Sequence, residues 1–179
     1  AGASLFLSFL PLLAKQVVRN NGLSDFPAAG IPGDQVDAEL VNLPHRWNIR
    51  FIRNFMITFG LVSSLFDYTT FGLLILIVRA TEAQFQTGWF VASLLTVLVI
   101  ALVVRTQRPF FRSRPGKLLL GMTILVSGLT LVIPYTPIGR PFGFTPLPFW
   151  IMAAIVLLTC LYILAAEIAK KFFYAHVKL

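Results

Sequence analysis

The chain has 179 residues, of which 57% are hydrophobic and only 12% charged, with a mean hydropathy of +0.81; soluble domains carry about a quarter charged residues, so a soluble globular protein is excluded. Fifteen Lys and Arg against seven Asp and Glu give a formal charge of +8, but the basic residues lie between apolar runs, where the charge reports membrane topology and not nucleic-acid binding. The single cysteine, Cys160, excludes a disulfide framework and a Cys/His metal cluster. The composition predicts an all-α, polytopic transmembrane helix bundle.

In chain order, residues 1–13 form an apolar run too short to cross a bilayer, which needs about twenty residues. No basic segment precedes it and no convincing cleavage site ends it, so it reads as the later part of a helix, in a processed product or the tail of something longer, and not as a signal peptide. A polar stretch follows, Gln16-Val-Val-Arg-Asn-Asn21-Gly-Leu-Ser-Asp25-Phe-Pro27. Asn21 and Asp25 are spaced i, i+4, which places both oxygen-bearing side chains on one helix face. A carboxylate at membrane depth is expensive unless paired, hydrated or metal-bound, so Asn21 and Asp25 are the candidate metal ligands. Gly22 and Pro27 weaken the helix at the same place, predicting an unwound or kinked stretch between Asn21 and Ile31 that frees backbone carbonyls. The competing reading is a solvated hairpin at the interface.

Residues 1–31 thus hold a partial helix and a broken helix with the candidate site, 32–54 a polar cytoplasmic loop too short to be a catalytic domain, and 55–179 a four-helix membrane bundle. Its apolar blocks run from about Phe55 to Val78, Gly88 to Val104, Leu118 to Ile133 and Pro148 to Ala166. Asp67 lies near the middle of the first block, a second-tier ion ligand or else an acid satisfied by a neighbouring helix. Gly60 and Ser64 form a small-residue pair suited to close helix packing. Trp47, Trp89 and Trp150 lie at the ends of apolar runs and read as interfacial belt residues, and His45 and His176 as solvated. Arg46, Arg50 and Arg53, then Arg105, Arg108, Arg112, Arg114 and Lys117, then Lys170, Lys171 and Lys178 fall on one side, which predicts a cytoplasmic C-terminus. No phosphate-binding loop, zinc motif or nucleophile elbow is present, so no catalytic residue and no organic cofactor is assigned.

The order Pro11, Gln16, Asn21, Asp25-x-Pro27, then Pro32-Gly-Asp34-Gln-Val-Asp37, then Arg46-Trp47-Asn-Ile-Arg50 resembles the end of the fifth helix, the sixth helix and the following loop of P-type cation ATPases, in their bacterial magnesium-transporting branch. Phe59-Gly60-Leu-Val-Ser63-Ser64-Leu-Phe-Asp67-Tyr68 resembles the seventh helix, Phe85-Gln-Thr-Gly88-Trp89-Phe90 the start of the eighth, and Arg105-Thr106, Pro109-Phe110 and Ser113-Arg114-Pro115 the loop leaving it. The resemblance spans nearly the whole chain. It implies that the sixth helix contributes ion ligands at Asn21 and Asp25, that Mg2+ is the transported ion, and that the setting is the bacterial inner membrane. The family's Asp-Lys-Thr-Gly-Thr phosphorylation motif lies before the fifth helix and does not occur in these residues, so alone they cannot hydrolyse ATP.

Two departures bear on function. Val97 and Leu102 stand where the family's eighth helix carries polar residues such as Gln and His, and Lys15 and Arg19 bring positive charge close to the ion site, where it would weaken cation binding if turned inward. Two functions follow: a cation-translocation module whose partner is an N-terminal ATPase region, or a non-catalytic scaffold subunit packed against another membrane complex. Both have the lipid bilayer, and no nucleic acid, as their surroundings.

Overall fold

The computed structural model describes residues 11–30, 49–77, 81–106 and 115–176, which form five α-helices and no strand among the described residues. They are α1 (Ala14–Ala28), α2 (Ile49–Gly72, continued by a π-helical turn Leu73–Ile77), α3 (Glu82–Val104), α4 (Lys117–Val132) and α5 (Phe149–His176). Helices α2 to α5 are each long and apolar enough to cross a membrane. The all-α membrane bundle is therefore the observed fold, and the chain is an integral membrane protein. Residues 1–10, the 31–48 connection with Arg46 and Trp47, and most of the basic loop between α3 and α4 lie outside the described residues.

Three helices start or end beyond the apolar blocks that announce them, each for a local reason. Helix α2 begins at Ile49 instead of Phe55, so 49–54 are helical and not connection. The Phe51 and Phe55 rings pack edge-on against Phe173 of α5, at 5.2 and 5.5 Å between centroids, which holds this first stretch on the bundle. Arg50 and Arg53 do not interrupt it, since long basic side chains reach the interface from a helical backbone. Helix α3 begins six residues before Gly88 because Thr81 and Gln84 form a capping box. The Gln84 N–H donates to Thr81 Oγ1 (3.4 Å) and the Thr81 N–H to Gln84 Oε1 (3.2 Å). Helix α5 runs past Ala166 to His176. There Lys170 Nζ donates to the carbonyl of Val103 (3.0 Å), in the last turn of α3, and to Glu167 Oε1 (2.8 Å). An ammonium on a last-turn helix carbonyl suits both the hydrogen-bond deficit of helix ends and the helix dipole.

Helix α3 is the centre of the bundle and touches the other four helices. Phe90, Val91 and Leu94 on it are fully buried, with Leu74 of α2's π-turn and Ile155 of α5 against them. Lipid is as apolar as these side chains, so what holds the helices together is close packing and dispersion contact more than escape from water. The outward faces of α2, α4 and α5, with Leu61, Leu65, Ile124, Leu125, Leu157 and Leu164 exposed, suit lipid contact.

Two small features depart from the sequence reading. Gly60 has no atom within 4 Å of where a Cβ would stand, so the Gly60 and Ser64 pair forms no helix seam among the described residues. Trp89 is two turns inside α3, stacked edge-on against Phe71 at 4.6 Å, and so is a packing residue instead of a belt residue. The capping box that lengthens α3 is the cause.

Chain direction follows from the contacts. Gly30, just beyond α1, approaches the backbone of Leu119 at the start of α4, while Leu13 and Gln16 at the other end of α1 meet Gly143. One end of the bundle thus carries Arg50, Arg53, Arg105, Lys117, Lys170 and Lys171, and the other the segment between α4 and α5. That segment folds as two 3-10 turns, Ile133–Tyr135 and Pro137–Phe142, since Pro134, Pro137 and Pro141 prevent α4 from continuing. Gly143 ends it at φ 77°. Gly143→Ala would force an L-residue into the left-handed region against Leu13, and is expected to cost about 1–2 kcal/mol. Thermal unfolding in detergent checks this; an unchanged midpoint would contradict it.

Candidate cation-binding face

Helix α1 contains a mixture of polar and small residues, and its orientation is set from its first turn. Leu13 offers no side-chain acceptor, so the cap comes from Gln16: the Leu13 N–H donates to Gln16 Oε1 (3.1 Å), and Gln16 Nε2 donates to the carbonyl of Phe142 (3.4 Å). Gln16 is fully buried by these contacts. At 100° per residue, Asn20, Leu23 and Pro27 follow Gln16 on the inward face, and Pro27 is buried as that register requires.

Asn21 and Asp25 lie on the opposite face. Both are exposed, with Val18, at 74% exposure, beside them. The expected i, i+4 pair therefore exists as a surface, not as a closed site. Its two side chains can offer a cation one carboxylate and one amide oxygen, from a direction that neither α3 nor α4 covers. The carbonyl of Asn21 accepts from Ser24 Oγ (2.8 Å), a bond internal to the helix that leaves the Asn21 side chain unaffected.

The predicted break is not where the sequence placed it. Helix α1 runs unbroken through Gly22 to Ala28, with Pro27 in its last turn, and the chain tightens only afterwards, where the Gly30 N–H donates to the Pro27 carbonyl (2.9 Å). A proline so near the C-terminus removes a single intrahelical bond, and one glycine with favourable neighbours on either side does not unwind a helix. The bond that Pro27 removes is the one to the carbonyl of Leu23, within the turn between Asn21 and Asp25.

Arg19 also departs from expectation. Its guanidinium sits over the Phe142 ring, 3.3 Å from the centroid, a cation–π contact that draws the charge toward the α4–α5 segment. Six residues at about 1.5 Å rise put it roughly 9 Å along the axis from Asp25. Asn20, one residue before Asn21, has its side-chain oxygen buried with no hydrogen-bond partner among the described residues. An unpaired buried amide oxygen is costly, which singles out Asn20 as an inward-facing polar group of α1.

Asp67 belongs elsewhere. It lines a recess of about 170 Å³ between α2, α3 and α5, together with Ser63, Ser93, Thr96 and Tyr162. Helix α1 packs on α3 and α4, so the three predicted oxygen carriers fall into two separate places. Accordingly, no group of three or more His, Cys, Asp or Glu that could hold a metal occurs among the described residues. The recess also qualifies the reading of an apolar eighth helix: α3 is apolar at Val97 and Leu102 but presents Ser93 and Thr96.

Residues 9–172 match the family described as "Cation transporting ATPase, C-terminus". The chain belongs to this family. Among similar proteins, "Magnesium-transporting ATPase, P-type 1" of Salmonella typhimurium strain LT2 is 35% identical over 176 residues, covering 96% of this chain and 19% of that protein. The protein of the same name in Salmonella typhimurium strain 14028s is 38% identical over 163 residues, 86% of this chain and 18% of that protein. That of Escherichia coli K12 is 35% identical over 176 residues, 96% of this chain and 20% of that protein. The chain thus spans about a fifth of the length of the curated relatives it matches, and the match to a C-terminal membrane family agrees with a fold made of spanning helices.

Proposed function

We propose that the chain is the cation-translocating membrane module of a magnesium-type P-type ATPase in the bacterial inner membrane, with Asn21 and Asp25 as its contribution to the Mg2+ site. The observation that carries this reading is the α1 face itself. A carboxylate and an amide, one turn apart, stand exposed on a helix whose other face is fixed to the bundle, in a chain similar over nearly all its length to magnesium-transporting ATPases. Mg2+ requires octahedral oxygen coordination and keeps part of its water shell, so two protein oxygens are a fitting half-site. On this reading the remaining ligands, and the ATP-hydrolysing region that drives transport, come from protein outside these 179 residues and cover the face. The basic end of the bundle is cytoplasmic by the positive-inside rule, and the C-terminus with it.

The scaffold reading has less support. It relied partly on Arg19 opposing a cation, and Arg19 is engaged with Phe142. The deciding experiment is magnesium uptake by a bacterial strain whose growth needs supplemented Mg2+. The whole protein carrying this chain is expected to lower the Mg2+ requirement, as is its Val18→Ala variant, whereas Asn21→Ala should not. Equal growth with wild type and Asn21→Ala would reject the assignment.

A further inference from the structure

The recess at Asp67 lies at the mid-depth of three spans: Ser63 and Asp67 are central in α2, Ser93 and Thr96 in α3, and Tyr162 in α5. From this geometry we infer a second cation site, for an alkali-metal ion of Na+ or K+ size, independent of the role proposed for α1.

The placement of hydroxyl protons decides what the recess offers a guest. A hydroxyl has one proton and two lone pairs. Ser93 Oγ donates to the Phe90 carbonyl (3.0 Å), and Thr96 Oγ1 lies within reach of the carbonyls of Ala92 (3.0 Å) and Ser93 (2.9 Å). Both protons are thereby committed to the backbone of α3, leaving oxygen lone pairs as what the recess receives from it. Ser63 Oγ and Tyr162 OH share one short bond of 2.7 Å, so only one of their two protons remains for a guest. With Asp67, five oxygen-bearing side chains line the recess, rich in acceptors and poor in donors.

Such a lining suits an electropositive guest, and one bound through oxygen alone is a hard cation. Charge then selects the class. A single carboxylate at mid-membrane neutralises a monovalent ion, whereas a divalent ion would leave a net charge where charge is least tolerated. Space agrees with this, since about 170 Å³ accommodates an ion with a few of its waters at roughly 30 Å³ each. Trp89 also lines the recess and turns an aromatic ring toward it as a local reporter.

The test uses the whole protein carrying this chain, purified in detergent with Mg2+ chelated. NaCl, KCl and choline chloride are titrated at constant ionic strength, and the Trp89 signal is taken as the fluorescence difference from a Trp89→Phe variant. The expected result is a saturable change with Na+ or K+ and none with choline. Asp67→Asn should raise the half-saturating concentration at least tenfold and Thr96→Val several-fold, while Asp25→Asn leaves it unchanged. Each variant is compared after eluting as a single size-exclusion peak; should Asp67→Asn fail that criterion, Thr96→Val and Ser93→Ala decide by the same shift. Identical curves for the three salts would overturn the site, as would a saturable response that survives these substitutions. A response to Mg2+ alone would overturn the monovalent assignment. If instead a basic side chain from another protein occupies the recess, the alkali ions will give no saturable response, and the inference falls.

Discussion

Asp25→Asn is expected to abolish magnesium-stimulated turnover at ordinary Mg2+ concentrations in the whole protein while leaving its folding intact. The carboxylate is the only formal negative charge on α1. Its loss removes a charge-assisted contact worth about 2–3 kcal/mol, roughly a 30- to 150-fold rise in the Mg2+ concentration needed for half-maximal turnover. Folding is spared because Asp25 is exposed and Asn has nearly the same shape. Recovery of the purified protein should therefore be unchanged. The check is ATP turnover against Mg2+ concentration, alongside the size-exclusion profile. An unshifted curve would remove Asp25 from the site.

Lys170→Met is expected to have the largest effect on stability. Lys170 is 2% exposed and Glu167 7%, and the ammonium joins the Glu167 carboxylate to the last-turn carbonyl of α3. Deleting the cation leaves a buried carboxylate without it and weakens the α3–α5 junction, costing about 3–5 kcal/mol. The double variant Glu167→Gln with Lys170→Met removes both charges and should lose distinctly less than the single one. Equilibrium unfolding in mixed micelles measures the difference. Equal losses in the two variants would show that the pair contributes packing and not charge compensation.

Much of this architecture is legible in the residues, because hydropathy and backbone satisfaction leave a membrane chain few options. The four spans announce themselves in this way. Their ends do not, since they depend on groups outside the apolar run: Thr81 and Gln84 cap α3, the Phe51 and Phe55 rings hold the start of α2 on Phe173, and Lys170 carries α5 past Ala166 by bonding another helix. The candidate site is legible in spacing but not in orientation. The i, i+4 rule places Asn21 with Asp25, yet only the buried Gln16 and its bond to Phe142, 126 residues away, determine that this pair faces outward and Asn20 inward. Proline position misled for a related reason, since Pro27 breaks α1 only if the helix would otherwise have continued, and α1 ends one residue later. The Asp67 recess needs three helices, and no periodicity within α2 can reveal Ser93, Thr96 and Tyr162.

Changing the softness of Asp25 is the most direct test of its role as a ligand of the transported cation. Asp25→Cys exchanges a hard carboxylate for a thiolate, which binds Mg2+ poorly and Cd2+ well. The exposed Cys160 is replaced by Ser in both the variant and its control, and ATP turnover of the whole protein is measured with each metal. The predicted result is loss of Mg2+ stimulation and gain of Cd2+ stimulation in the Asp25→Cys protein alone. Retention of Mg2+ stimulation by that variant, with Cd2+ acting no differently than on the control, would contradict it.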